Sequence, residues 1–160
     1  MDCKNKIIDH DLFQDSYYQI QQLEKKRIFC KHDMVHFLDV ARLMMILSVK
    51  EKLDIKEDLI YAAALLHDIG RHEQYRHGIE HHIASANIAK CILDECDFCA
   101  EDRESIIEAI LMHRNKNIAF ERNLSGLLYR ADKMSRNCFC CEARSLCNWS
   151  DDKKNLKIKY

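Results

Sequence analysis

The chain contains no proline and only three glycines, Gly70, Gly78 and Gly126, in 160 residues. Proline and glycine are the residues that punctuate regular structure and make tight reversals. A chain so poor in both therefore favours long helices over the many turns of a β-fold. Apolar residues recur at helical spacing in several stretches. A first helix is predicted over about residues 11–29, with a charged end at Glu24-Lys25-Lys26-Arg27. Over residues 32–50, Val35, Leu38, Ala41 or Arg42 and Met45 keep the same period. Asp54 followed by Glu57 has the charge logic of a capping box, opening a helix that runs to Asp68 and stops at Gly70 as a left-handed cap. A polar connection over residues 71–80 leads to an alanine-rich helix over about 82–96. Another helix spans about 101–113, and a sixth begins near Arg122. The expected fold class is all-α, a compact helical bundle.

The length suits one domain with an apolar core. No repeat or low-complexity linker divides it, so residues 1–160 are read as a single unit, with a core over about 31–136 and a cysteine-rich extension over about 137–160. A formal net charge of −1 gives no overall basic surface, and neither nucleic acid nor a membrane is an expected partner. The longest apolar runs, residues 43–47 and 61–66, fall far short of the roughly 20 residues needed to span a bilayer. Met1-Asp2-Cys3-Lys4 leads into polar sequence rather than the apolar stretch of a signal peptide, so a cytoplasmic location is expected. Nine cysteines without an export signal, in odd number, read as thiols or metal ligands rather than a disulfide framework. Nine histidines are the more informative excess, because neutral imidazole is the commonest protein metal ligand.

Several of these histidines sit in apolar settings. His67 and Asp68 end the helix Ala62-Ala63-Ala64-Leu65-Leu66 and precede Ile69. An unpaired carboxylate buried there would be costly, whereas coordination would offset the cost; two ordinary polar residues at an exposed helix end are the alternative. His36 lies in the apolar helix with Phe37, Leu38, Val40 and Ala41, and Asp132 follows Leu127, Leu128 and Ala131. His113 ends the face that carries Ile106 and Ile110. One histidine on an apolar face is ordinary core. Three helices that each aim such a group inward are better explained by a shared cation.

The ordered set His36, His67-Asp68 and Asp132, with the stretches Ala64-Leu65-Leu66-His67-Asp68-Ile69-Gly70-Arg71 and Arg130-Ala131-Asp132-Lys133, resembles the HD-domain superfamily of metal-dependent phosphohydrolases over about residues 31–136. That resemblance implies a metal held by these four residues. It also implies, in the binuclear subset, a second metal held by two later histidines, matched here by His81 (in preference to its neighbour His82) and His113, with Asp68 bridging. The expected cofactor is one or two divalent transition metals: iron or manganese by preference, with nickel, cobalt or zinc also suited to mixed nitrogen and oxygen ligation. The implied reaction is hydrolysis of a small phosphate-containing substrate, a phosphomonoester, nucleotide or cyclic nucleotide, by metal-activated water. Catalytic roles fall to Asp68, Arg71 and Lys133. Arg71 stands where many relatives carry lysine, which suits bidentate phosphate binding better than proton donation. Arg136 is a further candidate to face substrate. His72, His77 and Glu80 lie in the adjoining connection and require no role, and His32 is either a partner of the ligands or an exposed cap.

Two other functions fit the same residues: a di-iron oxygenase and a non-catalytic nucleotide sensor. Separately, Cys138, Cys141 and Cys147 form a candidate second metal cluster, with Cys30 as a distant fourth ligand. Packed or exposed thiols are the alternative. Cys91, Cys96 and Cys99 read as core or helix-end residues, and the lysines between residues 153 and 159 as a solvated tail. Oligomeric state is not specified by any of these features.

Overall fold

Ten consecutive residues with almost no polar face must lie in the middle of a bundle. In the computed structural model, which describes residues 3–160, that segment is helix α4 (Glu57–Leu66), with Leu59, Ile60 and Ala62 to Leu66 all buried. Around it run α1 (Cys3–Asp9), α2 (Asp11–Leu23), α3 (Met34–Glu51), α5 (Arg71–His77), α6 (His81–Glu95), α7 (Ala100–Met112) and α8 (Leu124–Met134). No strand occurs among the described residues, and no helix is long and apolar enough to cross a membrane. Helix α4 packs on α1, α3, α7 and α8, while α3 also packs on α8, and α7 on both α6 and α8. The inward stripe of α3, Phe37, Val40, Ala41, Met44 and Leu47, follows the period of 3.6 and fills the α3–α4–α8 contact. Burial of a side chain such as Phe37 stabilises by about 1.5–3 kcal/mol.

The all-α expectation holds, but several boundaries differ for physical reasons. The first long helix stops at Leu23 rather than Phe29. Its continuation is prevented at Glu24, which turns inward: the carboxylate accepts from His32 N at 2.7 Å and from Tyr75 Oη at 2.5 Å. The next helix starts at Met34, where the Asp33 side chain accepts from His36 N. The capping box at Asp54 and Glu57 does not form, because Lys56 occupies the N-cap and no side chain caps that end. The polar connection over 71–80 contains α5, which is ended by Gly78 in the left-handed region at φ 70°. Helix α1 was not anticipated; seven residues are too few to establish a period.

Gly70 is the most consequential correction. It is not a left-handed cap, since its φ is −87°. Its lack of a side chain serves close approach instead: a Cβ there would lie 2.3 Å from Ser85 N and 2.8 Å from Ala84 Cβ. Gly70 N also donates to Ser85 Oγ at 2.9 Å. This contact seats the turn after α4 against the first turns of α6. We expect Gly70→Ala to destabilise the fold by about 3 kcal/mol or more, read as a lower midpoint in chemical denaturation; wild-type stability in that variant would contradict the close approach.

Candidate metal centre

Helix ends supply the donors. His36 lies in the first turn of α3, His67 and Asp68 follow the last residue of α4, His81 begins α6, His113 follows α7, and Asp132 is near the end of α8. A side chain near a helix end is free of the crowding of a full helical turn, so several ends can converge on one small volume. They form two groups, His36–His67–Asp68–Asp132 and Asp68–His81–His113, and within each the donor atoms lie within 4.8 Å of one another. Asp68 belongs to both. Its Oδ2 lies 3.3 Å from His67 Nε2 and 3.9 Å from His36 Nε2. Its Oδ1 lies 3.3 Å from His81 Nε2 and 3.7 Å from His113 Nε2. Asp132 Oδ1 completes the first group at 3.6 Å from His36 Nε2 and 3.7 Å from His67 Nε2.

The tautomers fit a cation. His67 Nδ1 donates to Ala64 O at 2.7 Å, and His113 Nδ1 to Ile110 O at 2.6 Å. His81 Nδ1 donates to Gln74 Oε1 at 2.8 Å, and His36 Nδ1 pairs with Ser135 Oγ at 3.1 Å. Fixing Nδ1 as the protonated nitrogen directs the Nε2 lone pair inward, the usual arrangement behind a metal-ligating imidazole. His67 Nε2 is buried and has no hydrogen-bond partner. His81 Nε2 and His113 Nε2 face each other at 3.2 Å; with both Nδ1 atoms protonated, two lone pairs meet there, which a shared positive charge between them would relieve.

The electrostatics point the same way. Burial pushes His36 and His113 down to about 4 and His81 down to about 2, so these imidazoles are neutral and able to ligate. Burial also disfavours charge on Asp68, but Arg71 and His67 outweigh it and hold the carboxyl well below its usual range. Asp132 is likewise held low against burial, by His67 and Lys133. His67 is raised to about 9, because the carboxylates of Asp68 and Asp132 overcome its own burial. One buried and one half-buried carboxylate thus demand positive charge. A divalent cation would supply it and would return His67 to the neutral form that its Nδ1 hydrogen bond prepares.

The remaining expected residues are distributed around this core. Arg71 donates through Nε to Asp68 Oδ1 at 3.1 Å and lines a cavity of about 680 Å³ together with His32, His36, Asp132 and Arg136. Arg136 Nη2 lies 3.1 Å from His36 Nε2. Lys133 is turned elsewhere: Nζ contacts His113 O and Asp132 Oδ2, both at 3.2 Å, and lies over the Tyr129 ring. His82 stands outside both groups, partly exposed and 3.9 Å from Glu80. His77 and Glu80 are exposed, whereas His72 is buried under α5 without joining the site. Cys30, Cys138, Cys141 and Cys147 line the same cavity, Cys96 is core, and Cys91 and Cys99 are exposed. His32 is no exposed cap: it is buried, with Nε2 3.5 Å from Asp68 Oδ2 and Nδ1 2.5 Å from Glu24 Oε1. Gln74 and Ser135, which hold His81 and His36, and Glu24 with Tyr75, which hold His32, were not recognised from sequence, because no spacing links any of them to its partner.

The sequence model of the HD domain matches residues 34–137. An uncharacterized protein of Clostridium beijerinckii is 45% identical over 140 residues, covering 88% of this chain and 87% of its own. Among solved structures, a predicted HD superfamily hydrolase from an uncultured Thermotogales bacterium superposes with a TM-score of 0.66 at 19% identity, covering 91% of this chain and 80% of the other. At that identity the superposition speaks for the helical fold. Saturating manganese should raise the melting temperature by roughly 5–10 °C, as expected for a ligand at about a hundred times its Kd in a domain of this size. The shift should vanish in His67→Ala, and its persistence there would show that the cation binds elsewhere.

Proposed function

This chain belongs to the HD domain family, and from that premise we propose that it is a metal-dependent phosphohydrolase with a binuclear centre, acting on a small phosphomonoester, nucleotide or cyclic nucleotide. The observation that carries the reading is Asp68, whose two oxygens face two separate groups of imidazole nitrogens. A carboxylate so placed can bridge two cations. His36, His67 and Asp132 would complete one site, and His81 and His113 the other. Divalent cations there would acidify a water and neutralise charge on phosphoryl oxygens.

The protein groups hold the substrate and keep the donors aligned. Arg71 borders the cavity next to the bridging carboxylate, and its planar guanidinium suits two parallel hydrogen bonds to phosphate. Arg136 borders the same cavity from the other side of His36. Lys133, read from sequence as catalytic, serves better as a brace that fixes Asp132 against the end of α7. Glu24 fixes the His32 ring so that Nε2 faces Asp68 and the cavity, where it could meet substrate or a water. A volume of about 680 Å³ lies within the range of small-ligand sites. With a formal net charge of −1, a small anion drawn to local arginines is a better fit than a nucleic acid. We place this activity in the cytoplasm and assign it to residues 1–160 as one domain.

The test is manganese loading followed by a screen of phosphate esters. Manganese is chosen because thiolates bind it poorly relative to softer ions. About two manganese ions per chain are expected, falling to about one in His81→Ala and in His113→Ala. Arg71→Ala should raise KM for the best ester by about 10- to 100-fold, the scale of one charge-assisted contact. Oxygen uptake by the iron form without ester hydrolysis, or nucleotide binding without turnover, would overturn the proposal.

A further inference from the structure

The C-terminal tail poses a separate physical problem. After α8 only a short 3-10 turn at Cys138–Cys140 is regular, and residues 141–160 contain no helix or strand. Twenty residues without regular structure are unusual in a small domain. Cys138, Ala143 and Asn155 are the buried residues of the tail, and Asn155 Nδ2 donates to Lys133 O and Arg136 O. So little apolar burial is the situation in which small modules rely on a metal or a disulfide.

The cysteines are placed to provide such a staple. Cys30 comes from the loop between α2 and α3, and Cys138, Cys141 and Cys147 from the tail, yet all four line the same cavity. All four are thiols. The side chain between them in sequence, Cys140, is exposed and is not part of that lining. The fold thus turns inward the cysteines at a two-residue gap and its continuation, and turns the odd one out. Burial raises the Cys30 thiol, which lies within electrostatic reach of the other three and of Arg136. Arg27, Lys31, Arg136, Arg144 and Lys154 also border the cavity. Four thiolates around a cation or cluster carry net negative charge, and these cations would offset it. The sulfurs do not gather within 4.8 Å as the histidine and carboxylate donors do. One tetrahedral ion would have to draw them to about 3.8 Å, given a metal–sulfur distance of about 2.3 Å, whereas an iron–sulfur cluster is larger.

We infer that Cys30, Cys138, Cys141 and Cys147 form a four-thiolate site for a thiophilic metal centre, a zinc ion or an iron–sulfur cluster, which fastens the C-terminal tail as one wall of the cavity beside the His–Asp groups. This inference is independent of the reaction assigned to those groups.

The experiment is metal and acid-labile sulfide analysis of the full chain purified anaerobically, compared with Cys140→Ser and Cys147→Ser. About one zinc, or about four iron with matching sulfide and a brown colour, is expected beyond the metal of the His–Asp groups. It should be lost in Cys147→Ser and kept in Cys140→Ser, which removes a thiol from the same tail. Retention in Cys147→Ser, or equal loss in both variants, overturns the inference. To separate ligation from any loosening of the tail in Cys147→Ser, alkylation of the wild-type protein gives a second readout by mass mapping. Cys140 should label at once, and Cys30, Cys138, Cys141 and Cys147 only after chelation. A labelling pattern unchanged by chelator, or a disulfide among these four in the anaerobic protein, overturns it as well.

Discussion

A carboxylate buried at the centre of a helical bundle needs positive charge around it, and the structure is arranged about that need at Asp68. The residue is almost fully buried, yet Arg71 and five histidines, His32, His36, His67, His81 and His113, come within ion-pair distance of its two oxygens. Unsatisfied, such a group would cost several kcal/mol. Its surroundings cannot be separated from its chemistry: His36, His81 and His113 are neutral through burial, and they and His67 are directed by their Nδ1 hydrogen bonds, and thereby prepared to share a cation with it.

The helical scaffold serves this convergence through its ends. Helix α4 is apolar nearly all round, so it occupies the middle of the bundle and delivers His67 and Asp68 where it stops. The close approach at Gly70 then sets α5 and α6 against that turn, which brings Arg71 and His81 to the opposite oxygen. Helices α7 and α8 add His113 and Asp132, and Lys133 ties one end to the other. The supporting groups come from further away still. Glu24 ends α2 early, orients His32 and meets Tyr75 of α5, so a single buried acid joins three parts of the chain to the edge of the site.

The cavity beside the His–Asp groups is bounded on one side by basic residues near the ligands and on the other by the cysteine-lined tail. Arg136 takes part in both surroundings, reaching His36 Nε2 and Lys31 O. The C-terminal segment therefore walls the cavity beside the His–Asp groups, although the HD domain match ends at residue 137. Within a shared fold, specificity resides in such local additions.

By itself the sequence determined the fold class and singled out the side chains that converge at the centre. Scarcity of proline and glycine, together with helical periodicity, implies helices, and a carboxylate or imidazole in an apolar helix is visible as a mismatch between residue and setting. His36, His67, Asp68 and Asp132 stand out for that reason, as do His81 and His113 once the ordered pattern is seen. The tertiary structure alone decided which of the neighbours His81 and His82 turns inward, that Gly70 is present for close packing rather than for a left-handed cap, and that Lys133 braces Asp132 while Arg71 faces the cavity. It also decided that Glu24 and His32 are buried partners and that Cys30 lies with the tail cysteines. Each of these depends on contacts between helices or loops distant in sequence. Periodicity records which face of an element is apolar; it carries no record of which distant side chain that face will meet.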